Sequence, residues 1–149
     1  MAPSLKGVDG TPDLADYGDI IDPATFEQIL EMDDDKDREF SKGIVYGFFD
    51  QAESTFVKME KALSAENLSE LSQLGHFLKG SSATLGLTKV KDACEKIQHF
   101  GARKDETGTV EEPDEATALA NIKQTLNEVK EDYNEVATIL RRFYGEKTS

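Results

Sequence analysis

Four segments of this chain repeat apolar side chains at three- and four-residue steps, and none alternates them as a strand would. Phe40, Ile44, Phe48, Ala52, Phe56, Met59 and Leu63 draw one such stripe, which Val45 and Phe49 broaden. A stripe of this period fits a helix that buries one face, and here it predicts a helix over 36–64. Asn67 to Glu70 forms an N-x-x-E capping pattern that opens another helix, and Gly86 ends it. Thr88 is expected to cap the next, with Val90, Ala93, Cys94, Ile97 and Phe100 on one side. After Pro113, a last long stripe runs from Ala116 through Ile122, Val129 and Val136 to Phe143, and stops at Gly145. Asp22-Pro23 marks the start of a short helix with Phe26, Ile29 and Leu30. The pattern is all-α: an antiparallel up-down-up-down four-helix bundle with a short additional N-terminal helix. Residues 1–21 are expected to form a flexible arm, 22–145 the bundle and 146–149 a tail.

Composition narrows the function. Thirty acidic residues against 17 basic ones give a net charge of −13, a surface that repels phosphate backbones and anionic lipids. Neither nucleic acid nor membrane is therefore an expected partner. No apolar run approaches the ~20 residues that a membrane span needs. The opening MAPSLKGVDG has no apolar secretory core. The single cysteine, Cys94, has no internal partner, so the expected setting is the reducing cytosol or nucleus. The acidic stretch DETGTVEEPDE (105–115) reads as a solvated linker. EMDDDKDRE (31–39) is a second acid-rich run, placed just after the short helix.

One of the two histidines lies in HFLKGSSATLG (76–86). At ~100° per residue, Leu68, Leu71, Leu74, Leu78, Ser82 and Leu85 form the inward side of this helix, and His76 lies about 160° from its middle. Gln73, Gly80, Ala83 and Thr84 share the outer face, with Phe77 and Lys79 on its flanks. Glycine in a helix interior costs ~1 kcal/mol against alanine, so Gly80 one turn from His76 calls for a reason. It leaves the imidazole uncovered and lets another surface come close. A neutral imidazole is a competent nucleophile, and Lys79 at i+3 can offset the charge of an added phosphoryl group. Other chemistries lack their parts. His99 is too far along to share a helix face with His76, so no metal site is expected. No nucleophile elbow or glycine-rich phosphate loop is present. Phosphoryl transfer and simple partner docking both remain open on these grounds.

HFLKGSSATLGL with its H-x-x-K-G-S core, REFSKGI (38–44), DACEKIQHFG (92–101) and EMDDD (31–35) occur in an order that resembles histidine-containing phosphotransfer (HPt) domains. The similarity is to the fungal branch that serves osmosensing phosphorelays. It implies a phosphorelay intermediate, a stoichiometric carrier rather than an ATP-dependent kinase. Such a carrier takes a phosphoryl group from the receiver-domain aspartate of a hybrid sensor histidine kinase and passes it to receiver domains of response regulators. A non-catalytic helical adaptor for receiver domains is the alternative. The resemblance makes His76 the phosphorylated residue, reacting through Nε2, with Lys79, Gly80, Gln98 and, less directly, Arg103 around it. Family members carry an arginine where this chain has Ala102, so Arg103 is one position out of step. The implied docking patch is Ile21, Ile29, Met32, Phe40, Ile44 and Val45, with Gly80 and Ala83 beside the histidine and Asp33, Asp34 and Asp35 at the rim. No cofactor is implied; Mg²⁺ would belong to the receiver. A monomer in cytoplasm and nucleus is the expected form.

Overall fold

The computed structural model describes residues 14–34 and 38–145. A 3-10 turn at Leu14–Tyr17 precedes α1 (Pro23–Leu30), α2 (Glu39–Ser64), α3 (Leu68–Leu85), α4 (Thr88–Gly101) and α5 (Glu115–Phe143). Among the described residues there is no strand, only isolated bridges between Ile21 and Leu87 and between Lys104 and Glu111. The four long helices pack α2 to α3, α3 to α4 and α4 to α5, with α5 returning to α2. α1 lies against the α3 end. The all-α bundle read from the apolar periods is the fold.

Local signals account for most boundaries. Asn67 Oδ1 accepts from the Glu70 amide at 3.1 Å, and Gly86 closes α3 in the left-handed region at φ 74°. Asp114 caps α5, accepting from the Ala116 amide at 3.1 Å and from the Thr117 hydroxyl at 2.8 Å. The Thr117 hydroxyl, with that amide, holds the Asp114 carboxyl below the usual carboxylate range. Thr88, in contrast, is the first residue of α4 and not its cap. Its hydroxyl donates to the Asp19 carbonyl at 3.0 Å and so ties down the segment before α1.

That segment corrects the expected arm. Leu14 and Ile21 are fully buried in the core, and the Asp22 amide donates to the Gly86 carbonyl at 2.7 Å. The segment is tied down because both apolar side chains are buried and Ile21 pairs with Leu87 in the α3–α4 turn. Residues 1–13 and 146–149 lie outside the described residues. The stripe on α2 also needs adjustment. Its buried row is Ser41, Val45, Phe48, Phe49, Ala52, Thr55, Phe56, Met59 and Ala62, while Phe40 and Ile44 lie outside it. The 105–115 stretch is likewise more than a linker. Asp105 accepts from the Thr107 hydroxyl at 2.7 Å and the Thr109 amide at 3.2 Å, and the loop folds back on His99, whose Nδ1 lies 2.7 Å from the Glu106 carbonyl oxygen.

The tightest seam is between α3 and α4. A Cβ on Gly75 would lie 2.8 Å from both the Cys94 carbonyl oxygen and the Gln98 nitrogen, and one on Gly101 2.6 Å from the Ser72 nitrogen. Backbone meets backbone at both places, and Ser72 Oγ donates across the seam to the Gln98 carbonyl at 2.9 Å. Cys94 is sealed beneath it, and burial pushes its thiol up to about 12. Gly101→Ala should cost about 1–3 kcal/mol by overpacking. Gly47→Ala, on an open helix surface, should gain about 0.5–1 kcal/mol. Urea unfolding of both variants checks the pair; equal effects would contradict the seam.

Candidate functional site

The seam fixes which way α3 faces. With Gly75 pressed on α4 and Leu71, Leu78, Ser82 and Leu85 buried, the opposite side of the helix must meet solvent. His76, Gly80, Ala83 and Thr84 are exposed there. Ser82 turns inward and satisfies its hydroxyl on the Leu78 carbonyl at 2.7 Å. Among the described residues the His76 imidazole makes no hydrogen bond or ion pair. A Cβ on Gly80 would meet nothing within 4 Å, so the row beside the histidine is bare. Thr84 folds its hydroxyl back onto the Gly80 carbonyl at 3.1 Å. Lys79, half-buried on the flank, has no carboxylate at ion-pair distance among the described residues. Its cation is uncommitted.

Gln98 comes from α4. Its backbone nitrogen sits against Gly75, the residue before His76, so the seam brings the two positions alongside. Its side-chain Oε1 is buried without a hydrogen-bond partner. A buried acceptor left open is costly.

The docking patch divides. Met32 (59% exposed), Phe40 (50%) and Ile44 (36%) present apolar surface as expected. Ile21 and Val45 are fully buried, and Ile29 nearly so; they belong to the core and have no surface to offer. Val45 follows Ile44 by one residue, and the ~100° step carries it into the core. Asp34 is exposed, whereas Asp33 is half-buried and turned to Ser41, and Asp35 lies outside the described residues.

Arg103 is committed to the loop after α4. α4 ends at Gly101, and Arg103 adopts a left-handed conformation at φ 62°. Its Nε donates to the Glu112 carbonyl at 3.0 Å and its Nη2 to the Pro113 carbonyl. The one-residue displacement places the cation after the helix end, where the loop carbonyls take it. Arg103→Ala should lower stability by about 1–2 kcal/mol and leave the NMR signals of the His76 imidazole in place; displaced imidazole signals would return the guanidinium to the site.

Phe77, expected on the flank of the histidine face, is 49% exposed. The groove between α2 and α3 was not picked out from the sequence. About 340 Å³ in volume, it is lined by Gly43, Ile44, Gly47, Gln51, Ser81 and Thr84, among others. The signal was present: glycines four apart in a long helix carry the same cost that drew attention to Gly80. Among the described residues, no helix is long and apolar enough to cross a membrane.

Comparison with known proteins gives a consistent result. The Hpt domain family matches residues 44–137. Multistep phosphorelay regulator 1 of Schizosaccharomyces pombe is 47% identical over 130 residues, covering 87% of this chain and 44% of that protein. Phosphorelay intermediate protein YPD1 of Saccharomyces cerevisiae is 49% identical over 88 residues, 58% of this chain and 52% of that one. The chain thus spans about half the length of the curated relatives it matches. The structure of S. cerevisiae Ypd1, solved with the receiver domain of its downstream response regulator Ssk1, superposes with a TM-score of 0.77 at 32% identity. It covers 87% of this chain and 97% of that one.

Proposed function

We propose, from the premise that this chain belongs to the Hpt domain family, that it is a phosphorelay intermediate whose His76 carries the phosphoryl group. The observation that carries the reading is the bare row of His76 and Gly80 beside an apolar-rimmed groove. An aspartyl phosphate held by a docked receiver domain is attacked in line by the lone pair of His76 Nε2. The P–N bond forms as the P–O bond to the aspartate breaks, and the carboxylate leaves with its electron pair. The other ring nitrogen keeps its proton throughout. Lys79 offsets the phosphoryl charge, and the unpartnered Oε1 of Gln98 is the acceptor assigned to hold the ring. Such a transfer needs positioning and electrostatics more than covalent help from the protein. The same step in reverse delivers the group to a second receiver.

Receivers of a hybrid sensor kinase and of response regulators are the assigned partners. Two properties support this: the likeness to a Ypd1 solved with a receiver domain, and the exposed Met32, Phe40, Ile44 and Phe77, of which Ile44 lines the groove. The carrier is stoichiometric and has no cofactor of its own; Mg²⁺ is assigned to the receiver's acidic pocket. It is taken to act as a monomer, in cytoplasm and nucleus.

The test is incubation with a phosphorylated receiver domain. Wild type should acquire acid-labile, base-stable label, and His76→Gln none; label on the mutant would remove His76 from its role. Gly80→Gln should fold normally but raise the receiver concentration for half-maximal transfer by roughly 30-fold, the ~2 kcal/mol of a docking hot spot. Binding without label on wild type would make the chain an adaptor instead.

A further inference from the structure

The edge that carries Met32 and Asp34 is braced from the far end of the chain. α2 begins poorly provided for: its N-cap residue, Arg38, is left-handed at φ 54° and makes no side-chain cap. The Ser41 amide, in the first turn, donates instead to Asp33 Oδ1 at 2.8 Å. Ser41 Oγ donates to Asp33 Oδ2 at 2.6 Å, and Tyr144 Oη donates to Ser41 Oγ at 2.8 Å. The direction of this chain is fixed by chemistry. A carboxylate can only accept, so the serine proton goes to Asp33, with the Arg38 carbonyl a longer second acceptor at 3.2 Å, and the serine oxygen is left to accept from tyrosine. Ser41 is fully buried, and burial pushes the Tyr144 hydroxyl up to about 12, so it stays a donor.

The donor end is itself held. The Tyr144 ring packs edge-on against Tyr46 at 6.3 Å and Phe143 at 5.0 Å. Phe143 packs in turn on Phe26 of α1 at 6.1 Å. The Arg38 guanidinium stacks over the Phe143 ring at 4.6 Å. Residues on both sides of 35–37 are thereby tied to the C-terminal end of α5.

We propose that Tyr144 and Ser41 are positioning residues for partner docking: through Asp33 they hold the end of α1, with Met32 and Asp34, against the start of α2, with Phe40. Asp33 is then a brace and not a contact. This rests on the receiver-docking reading above and adds to it a control point that touches neither the histidine nor the partner. Tyr144→Phe removes only the terminal hydroxyl. Ser41→Ala removes the relay itself.

Both variants are compared with wild type in the full chain, well below the unfolding temperature. Hydrogen exchange of the segment 33–41 reads the brace. Transfer from a phosphorylated receiver, as KM and maximal rate, reads docking. Labelling of His76 by phosphoramidate, which needs no docking, reads the histidine. The expected result is faster exchange in 33–41 and a KM raised about fivefold, as for one lost hydrogen bond. The maximal rate and the phosphoramidate labelling should be unchanged. Unchanged exchange, or faster exchange with unchanged KM, overturns the positioning role while the functional reading stands. A lowered maximal rate or slowed phosphoramidate labelling also overturns it, since the residues would then act on the histidine. If wild type takes no phosphoryl group from the receiver, the functional reading and the positioning role fall together.

Discussion

Everything at the functional face depends on how closely α3 and α4 approach. Two glycines, Gly75 and Gly101, let the helices meet at distances no side chain could tolerate, and the Ser72 hydroxyl bonds across the gap. That contact fixes the rotation of α3 about its own axis. Once its inner row is committed to the core, His76 has to point outward, one residue from Gly75, against which the Gln98 backbone packs. A wider seam would free α3 to roll, and the histidine and the groove next to it would lose their fixed relation.

The surface around the histidine is shaped by what is missing from it. Gly80 on α3, with Gly43 and Gly47 on α2, leaves open space where other helices carry side chains. Ser81 and Thr84 turn their hydroxyls back onto the backbone of their own helix. The result is an open groove lined by Ile44, Phe48 and Leu85 among its apolar residues, with Phe40 and Phe77 exposed elsewhere on the same two helices. Away from this face the molecule is conventional, with paired surface charges and an aromatic cluster around Tyr133, whose hydroxyl donates to Glu53 at 2.6 Å.

Much of this was legible in the sequence, and the failures have physical causes. Periodicity gave the helices because burial of one face is what makes them stable; Asn67 and Gly86 sit where side-chain and left-handed caps require. The outward direction of His76 followed from helical angle alone. Ile21 and Val45 could not be placed, because an apolar residue reads the same in a core and in a docking patch. Arg103 defeated the reading differently: its position depends on where α4 stops and on carbonyls nine and ten residues later. The packing of Leu14 rests on a long-range contact, for which local pattern carries no signal. Asp33 looked like one acid among several, and only Ser41 and Tyr144 distinguish it.

The most direct test of the central claim is an amide chemical-shift map of the chain titrated with an activated receiver domain. The account predicts perturbations along one face: Met32, Phe40, Ile44 and Gly47 on one side of the groove, Phe77, Gly80 and Thr84 on the other. His76 should lie at their centre. Perturbations gathered instead on the 104–112 loop, or around Val57 on the α2–α5 side, with the His76 row silent, would contradict it.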